Sequence, residues 1–228
     1  VAKTALTGKS AESANEVISK MCIQALAATK DGDDVDLDNI KVLSFEGGTH
    51  NESRLIEGVL IEKERLHTEM PTDLTDASVL LLTTAIEMKE SKMEARLNIT
   101  DPAQIQEFLA IEEATLKEMV GFIGMHGINV VFCQKEIDDL AVHYLAKLGI
   151  HAVKRVKKSD LEALRRVTGA SLVSNPESIV DSDLGIATSI EEEKFGEHRC
   201  ITVHTEGARS VTAILRGSTG HSVEEVER

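Results

Sequence analysis

The sequence predicts an α/β protein in which one domain is inserted into another. Within residues 128–174, apolar runs typical of buried strands alternate with amphipathic helical patterns in the order β-α-β-α-β. Helical patterns also occupy both ends of the chain, as expected for a domain inserted into a base formed by both termini. The 228 residues are 42% hydrophobic, which is enough to bury a core without disulfide bonds or metal ions. We therefore expect parallel strands with right-handed crossovers in the inserted domain.

The sequence before residue 102 predicts one helix followed by short strands. Across residues 9–29 the apolar side chains recur every three or four positions, which lines one face of a helix. Apolar runs then predict strands at 40–45, 58–61 and 79–83. The glycine pair at 47–48 predicts a turn after the first of these strands.

A long helix is predicted to begin at Pro102. Residues 101–104 contain an N-cap aspartate, a proline suited to the first helical position and a glutamine that can complete a capping box. Four apolar residues near its start cannot all lie on one helical face: Ile105, Phe108, Leu109 and Ile111. Either the helix is buried on two sides, or it exposes an apolar surface that binds other proteins. Gly121, Gly124 and Gly127 are expected to end it.

Short periodic segments predict the elements of the β-α-β-α-β unit at 128–174 and of the sequence that follows it. The unit comprises a strand at 128–133, a helix at 136–148, a strand at 150–153, a helix at 159–168 and a strand at 171–174. Ser159 and Glu162 form a predicted capping box at the start of the second helix. The tail comprises strands at 186–190, 199–205 and 211–215, a hairpin near Gly196 and a final helix after Gly220.

Composition and charge argue against nucleic-acid binding and against membrane association. The formal net charge of −14 disfavours binding to phosphate backbones and to anionic membranes. No apolar run approaches the roughly 20 residues that span a bilayer, and no signal segment opens the chain. The three cysteines are far apart in the sequence and predict reduced, mostly buried thiols. These features predict a cytoplasmic protein, and the start at Val1 with a helical composition at the end predicts a piece of a longer one.

The sequence predicts no metal site. The acidic loop at 31–38 is not followed by the glycine and the bidentate glutamate that a calcium-binding loop needs. His198, Cys200 and His204 share one face of a predicted strand. However, Cys200 and His204 would be about 13 Å apart at ~3.3 Å per residue, too far to share one zinc ion. An exposed strand face is the better interpretation.

The sequence also contains no motif for covalent or cofactor-dependent catalysis. It has no nucleophile elbow, no dinucleotide-binding glycine motif and no zinc-hydrolase histidine pair. Thr7, Gly8, Lys9 and Ser10 open a predicted helix and resemble the end of a phosphate-binding loop, but Lys3 stands where that loop needs its first glycine. An ordinary turn and an auxiliary phosphate-sensing lysine both fit this pattern.

Several longer motifs resemble those of archaeal group II chaperonins, the thermosomes. They are Gly58 to Glu64 with His67 and Met70-Pro71, Thr100-Asp101-Pro102, Asn129 to Lys135, Ile137 to Ala141, His143 to Lys147, Arg155 to Asp160, and Leu215-Arg216-Gly217. The resemblance covers essentially the whole chain. It is specific, because several long motifs occur in the family's order.

The resemblance implies a discontinuous α/β intermediate domain formed by residues 1–57 and 207–228. An apical client-binding domain at 58–206 is inserted into it, with a helical protrusion at about 90–120 that serves as a built-in lid. The resemblance implies that the equatorial domain, which holds the family's nucleotide pocket, is missing, and that the family's catalytic aspartate lies just beyond Arg228. This fragment is therefore expected to hold no cofactor and not to hydrolyse ATP. The full-length subunit would use ATP and Mg²⁺ in stacked double rings of sister subunits that enclose non-native client proteins.

The resemblance also assigns roles to individual residues. The residues implied to contact clients or neighbouring protrusions are Ile105, Phe108, Leu109, Ile111, Leu116, Asp139, Val142, His143, Ala146 and Lys147. Thr7, Gly8 and Lys9 match the family's nucleotide-sensing loop, in which a lysine reaches the γ-phosphate. No catalytic residue and no metal ligand is implied in this part of the subunit.

Two other classes of function remain alternatives at this point. A small-molecule or nucleotide-binding α/β enzyme would use the crevice at the strand ends, near Gln134 or Asn175. Such an enzyme favours a glycine-rich turn, and residues 133–136 contain no glycine. A purely structural scaffold arm would leave the protrusion buried against a partner.

Overall fold

The computed structural model describes Thr4 and residues 14–31, 34–87 and 102–227, except for the side chains at 31, 34, 102–105 and 107–109. Several sequence-based expectations therefore lie outside the described residues. They concern Thr7, Gly8 and Lys9, residues 88–101 of the protrusion, and the side chains of Ile105, Phe108 and Leu109.

The elements follow the predicted order of an α/β protein. In chain order they are α1 (Asn15–Ala28), β1 (Lys30–Asp31), β2 (Asp34–Val35), β3 (Ile40–Glu46), β4 (Arg54–Glu57), β5 (Val59–Ile61), β6 (Asp73–Leu82), α2 (Pro102–Met125), β7 (Val130–Cys133), α3 (Asp139–Lys147), β8 (His151–Val153), α4 (Lys158–Thr168), β9 (Leu172–Val173), β10 (Gly185–Phe195), β11 (His198–His204), β12 (Val211–Gly217) and α5 (Gly220–Glu227). The β-α-β-α-β order predicted for residues 128–174 is confirmed.

The chain divides into two compact units. The first contains the described residues of Val1–Glu64, Arg166–Thr168 and Ala187–Arg228, and the second contains those of Arg65–Arg165 and Gly169–Ile186. The first unit is thus built from two segments distant in sequence. The domain boundaries implied by the resemblance, at 57/58 and 206/207, stay a prediction.

The first unit contains a three-stranded sheet covered by two helices. Strand β12 lies at its centre, parallel to β3 and antiparallel to β4. Helix α5 packs against β3 and β12, and α1 packs against β4 and β12. Met21 of α1, Leu215 of β12 and Val223 of α5 form one apolar cluster. Residues from both ends of the described chain therefore share this core.

The predicted hairpin at Gly196 also belongs to the first unit. Strands β10 and β11 are antiparallel, and β11 pairs on its other side with β5. The rings of Phe45 and Phe195 stack with centroids 5.4 Å apart, and Cys200 is buried in the same cluster. The expectation that Cys200 lies on an exposed strand face is therefore wrong. The two phenylalanine rings cover the Cys200 side chain, whereas His198, on the same face of the strand, is exposed.

A parallel sheet forms the centre of the second unit. Strands β6, β7 and β8 are parallel neighbours, and β9 pairs in parallel with the end of β6. All eight residues of Val79 to Leu82 and Val130 to Cys133 are fully buried. Complete burial requires apolar layers on both faces of the sheet. The helices supply one of these layers, in a cluster that includes Leu80, Leu82 and Val131 of the sheet, Val120 and Ile123 of α2, and Ala141 and Leu145 of α3.

The end of α2 and the start of α3 differ from the predicted boundaries. Helix α2 continues past Gly121 and Gly124 to Met125, so only Gly127, with φ +66°, lies beyond its end. Helix α3 begins at Asp139, later than the predicted 136. Its N-cap is the aspartate at 138, whose carboxylate accepts a hydrogen bond from the Leu140 N–H at 2.8 Å.

The predicted capping box of Ser159 and Glu162 is wrong. Helix α4 begins one residue earlier, at Lys158, and Lys157 occupies the N-cap position without a side-chain hydrogen bond. Ser159 therefore lies inside the first turn, where its hydroxyl cannot take the N-cap role. Of the helices in the described ranges, none combines the length and hydropathy that crossing a membrane requires.

We predict that an alanine at Gly58 is far more destabilising than an alanine at Gly207. Both glycines have positive φ, but a Cβ at Gly58 would lie 2.2 Å from the Val203 carbonyl oxygen, whereas one at Gly207 meets open space. We expect Gly58→Ala to lower the free energy of unfolding by about 3 kcal/mol and Gly207→Ala by roughly 1 kcal/mol. Urea denaturation of the two variants measures the difference, and equal losses would contradict the steric explanation.

Candidate functional site

The predicted contact residues that the structure describes lie on two helices of the second unit, α2 and α3. Helix α3 has two distinct faces, because side chains three and four positions apart lie on the same side of a helix. One face is buried and packs in the core; it carries Ala141, Val142, Leu145 and Ala146. The other is solvent-exposed and carries Asp139, Leu140, His143 and Lys147.

The structure separates the predicted contact residues into exposed and buried ones. Ile111 of α2 is 56% exposed, and Asp139, His143 and Lys147 of α3 are also exposed. Leu116, Val142 and Ala146 are only 2%, 7% and 6% exposed and belong to the core. In this conformation their side chains pack within the fold and cannot touch another protein. The exposed group alone is available for contacts.

Sequence reasoning missed two exposed apolar residues beside α3. The helical spacing of the apolar and aromatic residues in 136–148 predicts a buried face formed by Ile137, Leu140, Ala141, Tyr144, Leu145 and Leu148. In the structure, Leu140 and Leu148 are instead 45% and 53% exposed. The spacing of the helix allows two apolar faces. One would include Leu140 and Leu148, and the other includes Val142, so periodicity alone does not select between them. Packing against the sheet selects the second.

A hydrogen bond joins α2 to α3 at the edge of this surface. The Tyr144 hydroxyl donates to the Glu113 carboxylate at 2.6 Å. This bond holds the pKa of Tyr144 above its ordinary value of 10.0, with smaller contributions from burial and from the negative charge of Glu113. The Lys147 ammonium lies 5.9 Å from the centroid of the Tyr144 ring. Tyr144 therefore contacts a carboxylate and a cation on two sides of its ring.

The exposed face of α3 also approaches the loop before β6. The rings of His67 and His143 meet edge to face, with centroids 6.4 Å apart. The Nδ1 atom of His67 accepts a hydrogen bond from the Glu69 N–H at 3.2 Å, which places the proton of the neutral ring on Nε2. That tautomer presents a donor rather than a metal-ligating lone pair. The described residues contain no cluster of three or more potential ligands for a metal ion.

In an α/β enzyme the binding crevice would lie at the ends of the strands, near Gln134 and Asn175. In this structure, polar groups of these two residues form hydrogen bonds with other groups of the same chain. The Gln134 N–H donates to the Leu82 carbonyl at 2.8 Å. The Asn175 side chain accepts from the Glu177 N–H at 3.3 Å and caps a short helical turn. These groups stabilise the connections after the strands, so the geometry assigns them a structural role.

The acidic residue after β7 is likewise committed to ion pairs. The Glu136 carboxylate pairs with the ammonium of Lys154, and at 2.5 Å with Nε of Arg155. The hydrogen bonds from Lys154 and then Arg155 hold the pKa of Glu136 below its ordinary value. A carboxylate that stays ionised in this way is a poor proton acceptor at neutral pH.

Neither buried cysteine is suited to nucleophilic chemistry. Burial raises the pKa of the Cys133 thiol to about 11 and that of Cys200 to about 12. The Cys133 thiol donates to the Thr84 carbonyl at 3.0 Å. Because the thiolate is the reactive form, both groups are inert at neutral pH.

The model of the TCP-1/cpn60 chaperonin family matches residues 1–228. The chain therefore belongs to the TCP-1/cpn60 chaperonin family.

Three relatives that align over the whole chain are thermosome subunits. The chain is 44% identical to thermosome subunit beta of Methanothermobacter thermautotrophicus, 45% to thermosome subunit 1 of Haloferax volcanii and 48% to the thermosome subunit of Pyrococcus horikoshii. Each comparison covers 100% of this chain but only 43%, 41% and 42% of the respective relative. The chain thus spans about two fifths of the length of these relatives.

A solved structure shows the same fold. The open-state monomer of a group II chaperonin from Methanococcoides burtonii superposes with a TM-score of 0.81 at 34% sequence identity. The superposition covers 100% of this chain and 52% of that one. The resemblance to a group II chaperonin found in the sequence is thereby confirmed.

We predict that removing the Glu113 carboxylate lowers the pKa of Tyr144. The chain has one Tyr and no Trp, so the absorbance of the phenolate reports this residue alone. Glu113→Ala should shift the titration of Tyr144 towards the ordinary value, because the hydrogen bond to Glu113 is the main cause of the raised pKa. Glu118→Ala, on the same helix, is the matched control.

The hydrogen bond from Tyr144 to Glu113 makes the free energy of unfolding depend on pH in the alkaline range. The folded-state pKa lies above the unfolded one, so the stabilisation is complete below the unfolded pKa and is lost as pH rises through the folded pKa. In the Glu113→Ala variant, the free energy of unfolding should therefore fall less as the pH rises through the pKa of Tyr144. An unchanged Tyr144 titration in that variant would show that another group causes the raised pKa.

Proposed function

We propose that this chain is the client-binding and lid-forming part of a group II chaperonin subunit. The match of the chaperonin family model to the whole chain carries the proposal. The intermediate domain would comprise residues 1–57 and 207–228, with the apical domain at 58–206 inserted between them. The division of the chain into two compact units supports an insertion, because the first unit combines residues from both ends. That unit also includes β5, β10 and β11, so the compact units and the proposed domains differ at their edges.

Client binding would use the exposed residues of α2 and α3. Ile111 and Leu140 are large, apolar and about half exposed, while Asp139, His143 and Lys147 provide polar contacts around them. Burying apolar area contributes about 25 cal/mol per Å² whatever sequence supplies it. A surface of this kind binds many non-native proteins and discriminates poorly among them, which is what a folding chamber requires.

The lid function is proposed for residues of about 90–120. Ile105, Phe108 and Leu109 would meet clients while the lid is open and neighbouring protrusions when it closes. Their sequence supports this role, because together with Ile111 they cannot all be buried on one helical face. The described end of the helix agrees with that pattern, since Ile111 is exposed whereas Leu116 is buried.

The remaining properties concern the full-length subunit. It would bind and hydrolyse ATP with Mg²⁺, assemble with sister subunits into stacked double rings in the cytoplasm, and enclose clients. The thermosome subunits of Methanothermobacter thermautotrophicus and Pyrococcus horikoshii support this, because they are more than twice as long as this chain. Within this chain, Thr7, Gly8 and Lys9 would sense the nucleotide bound elsewhere in the subunit, and no residue would be catalytic.

We predict that replacing two exposed apolar residues abolishes client binding. The chain should suppress aggregation of a chemically unfolded test protein without ATP, as measured by light scattering. The double variant Ile111→Ser/Leu140→Ser should lose most of this suppression, because serine removes the apolar surface. Ile186→Ser removes a side chain that is 65% exposed outside α2 and α3, and should suppress aggregation as before.

Circular dichroism of all variants checks that the fold is retained. Equal suppression by the double variant and the unaltered chain would contradict client binding on α2 and α3. Absence of suppression by the unaltered chain would contradict client binding by this part of the subunit.

We predict that Lys9 couples nucleotide binding to the lid. In the full-length ring, Lys9→Ala should leave ATP binding intact but reduce ATP-driven lid closure, because the ammonium that would contact the γ-phosphate is lost. Protease protection of the protrusion on addition of ATP measures closure. Lys20→Ala, on the exposed side of α1, is the control. Normal protection in the Lys9 variant would refute the sensing role.

A further inference from the structure

Two groups of strands that lie in different proposed domains pack together within the first unit. Strands β3, β4 and β12 belong to the proposed intermediate domain, whereas β5, β10 and β11 belong to the proposed apical domain. The first unit contains all of these strands, with β10 included from Ala187 onward. By the proposed boundaries, the chain crosses between the two domains at 57/58 and at 206/207. Contacts between side chains therefore decide how firmly the two groups of strands are held together.

A buried apolar cluster joins the two groups of strands. The Phe45 ring of β3 stacks on the Phe195 ring of β10, with centroids 5.4 Å apart and planes inclined by 16°. Leu60 of β5, Cys200 of β11 and Ile214 of β12 complete the cluster, and all three are fully buried. Apolar attraction is non-directional. The cluster therefore holds the strands together without fixing their relative position.

Hydrogen bonds fix the position of β5. The Thr212 hydroxyl of β12 donates to the Gly58 carbonyl at 3.0 Å and accepts from the Leu60 N–H at 3.1 Å. The Lys41 ammonium of β3 donates to the Leu60 carbonyl at 2.8 Å. Strand β5 pairs with β11, and β11 pairs with β10. Strand β10 is therefore two strands away from these hydrogen bonds and needs another directional contact.

An ion pair provides that contact on β10. One terminal nitrogen of the Arg54 guanidinium, on β4, donates to both carboxylate oxygens of Glu193 at 2.5 and 2.6 Å. The same guanidinium lies over the Phe195 ring, with Cζ 5.1 Å from the ring centroid. Glu193 and Phe195 are two residues apart and lie on one face of β10. Because charge-assisted hydrogen bonds and cation–π contacts both have preferred geometries, they fix the position of β10 relative to β4.

We propose that Arg54 and Glu193 are positioning residues that couple movement of the proposed intermediate domain to the proposed lid. With the pair intact, a displacement of β4 displaces β10, which begins in the second unit at Gly185 and Ile186. The inference rests on the proposed lid function and assigns it two residues for which the family resemblance implies no role. Both side chains are about half exposed, and exposed ion pairs contribute little to the free energy of unfolding. The role of the pair is therefore geometric, and the fold survives its loss.

Charge reversal in the full-length ring tests this coupling. Arg54→Glu and Glu193→Arg each place two like charges opposite each other, and protease protection of the protrusion on addition of ATP measures lid closure. Both single variants should hydrolyse ATP at the unaltered rate. They should lower the ratio of closed to open lids by about fivefold or more, the lower end of typical couplings between distant sites. The double variant Arg54→Glu/Glu193→Arg restores opposite charges and should restore closure.

Arg165→Glu is the matched control. Arg165 is also a partly exposed arginine in an ion pair, with Glu162 at 3.5 Å within α4, and its charge reversal should leave closure unchanged. The thermal midpoint of the 228-residue chain separates a positioning role from a stabilising one. Because exposed ion pairs stabilise weakly, the midpoints of the single and double variants should lie within a few degrees of the unaltered one.

Several results would overturn the inference. Normal closure in both single variants, reduced closure in the double variant, or an equal reduction in Arg165→Glu would show that the pair does not position the lid. Midpoints lowered by more than a few degrees in both single variants would show that the pair acts by stabilising the fold. If the unaltered ring closes on ATP while any of these results is found, the lid function stands and only the role of the pair is refuted. If the unaltered ring does not close, the proposed function fails and the inference fails with it.

Discussion

Complete burial of the parallel strands β6 and β7 is the constraint on which the second unit depends. A parallel sheet exposes apolar side chains on both faces, so it is stable only when other elements cover them. Every residue from Val79 to Leu82 and from Val130 to Cys133 is fully buried. This requirement fixes the position of α2 and α3, because their apolar side chains must pack against the sheet. The surface that these helices expose is then determined by the faces they bury.

Helix α3 shows how the core determines the proposed function. It buries Val142 and Leu145 against the sheet, so the opposite side, with Leu140 and Lys147, faces solvent. The aspartate at 138 caps the helix and Gly149, with φ +71°, follows its end, which makes it a short rigid element. A short helix fixed at both ends presents its exposed side chains in a defined arrangement. Apolar residues in that arrangement provide binding energy without selecting one partner.

Some polar groups of the second unit form ion pairs or hydrogen bonds within the fold, whereas others face solvent and are available for contacts with other molecules. Glu136 forms ion pairs with Lys154 and Arg155, and Glu113 accepts the hydrogen bond of Tyr144. Lys117 and Lys147 border an apolar groove instead. Charged groups satisfied within the fold contribute to its geometry, whereas solvated charges near an apolar surface add selectivity to binding.

The sequence by itself determined the class of the fold, the order of its elements and the family. Alternating strands and helices predicted the β-α-β-α-β unit because hydrophobic periodicity is a local property, and the long motifs identified a group II chaperonin. Local spacing predicted three points wrongly: it placed Leu140 on the buried face of α3, ended α2 from Gly121 onward, and put Cys200 on an exposed strand face. Tertiary packing decided these points. The sheet selected Val142 over Leu140, the helix continued through Gly121 and Gly124, and the rings of Phe45 and Phe195 covered Cys200. The physical reason is that burial depends on residues distant in sequence, which periodicity within one segment does not contain.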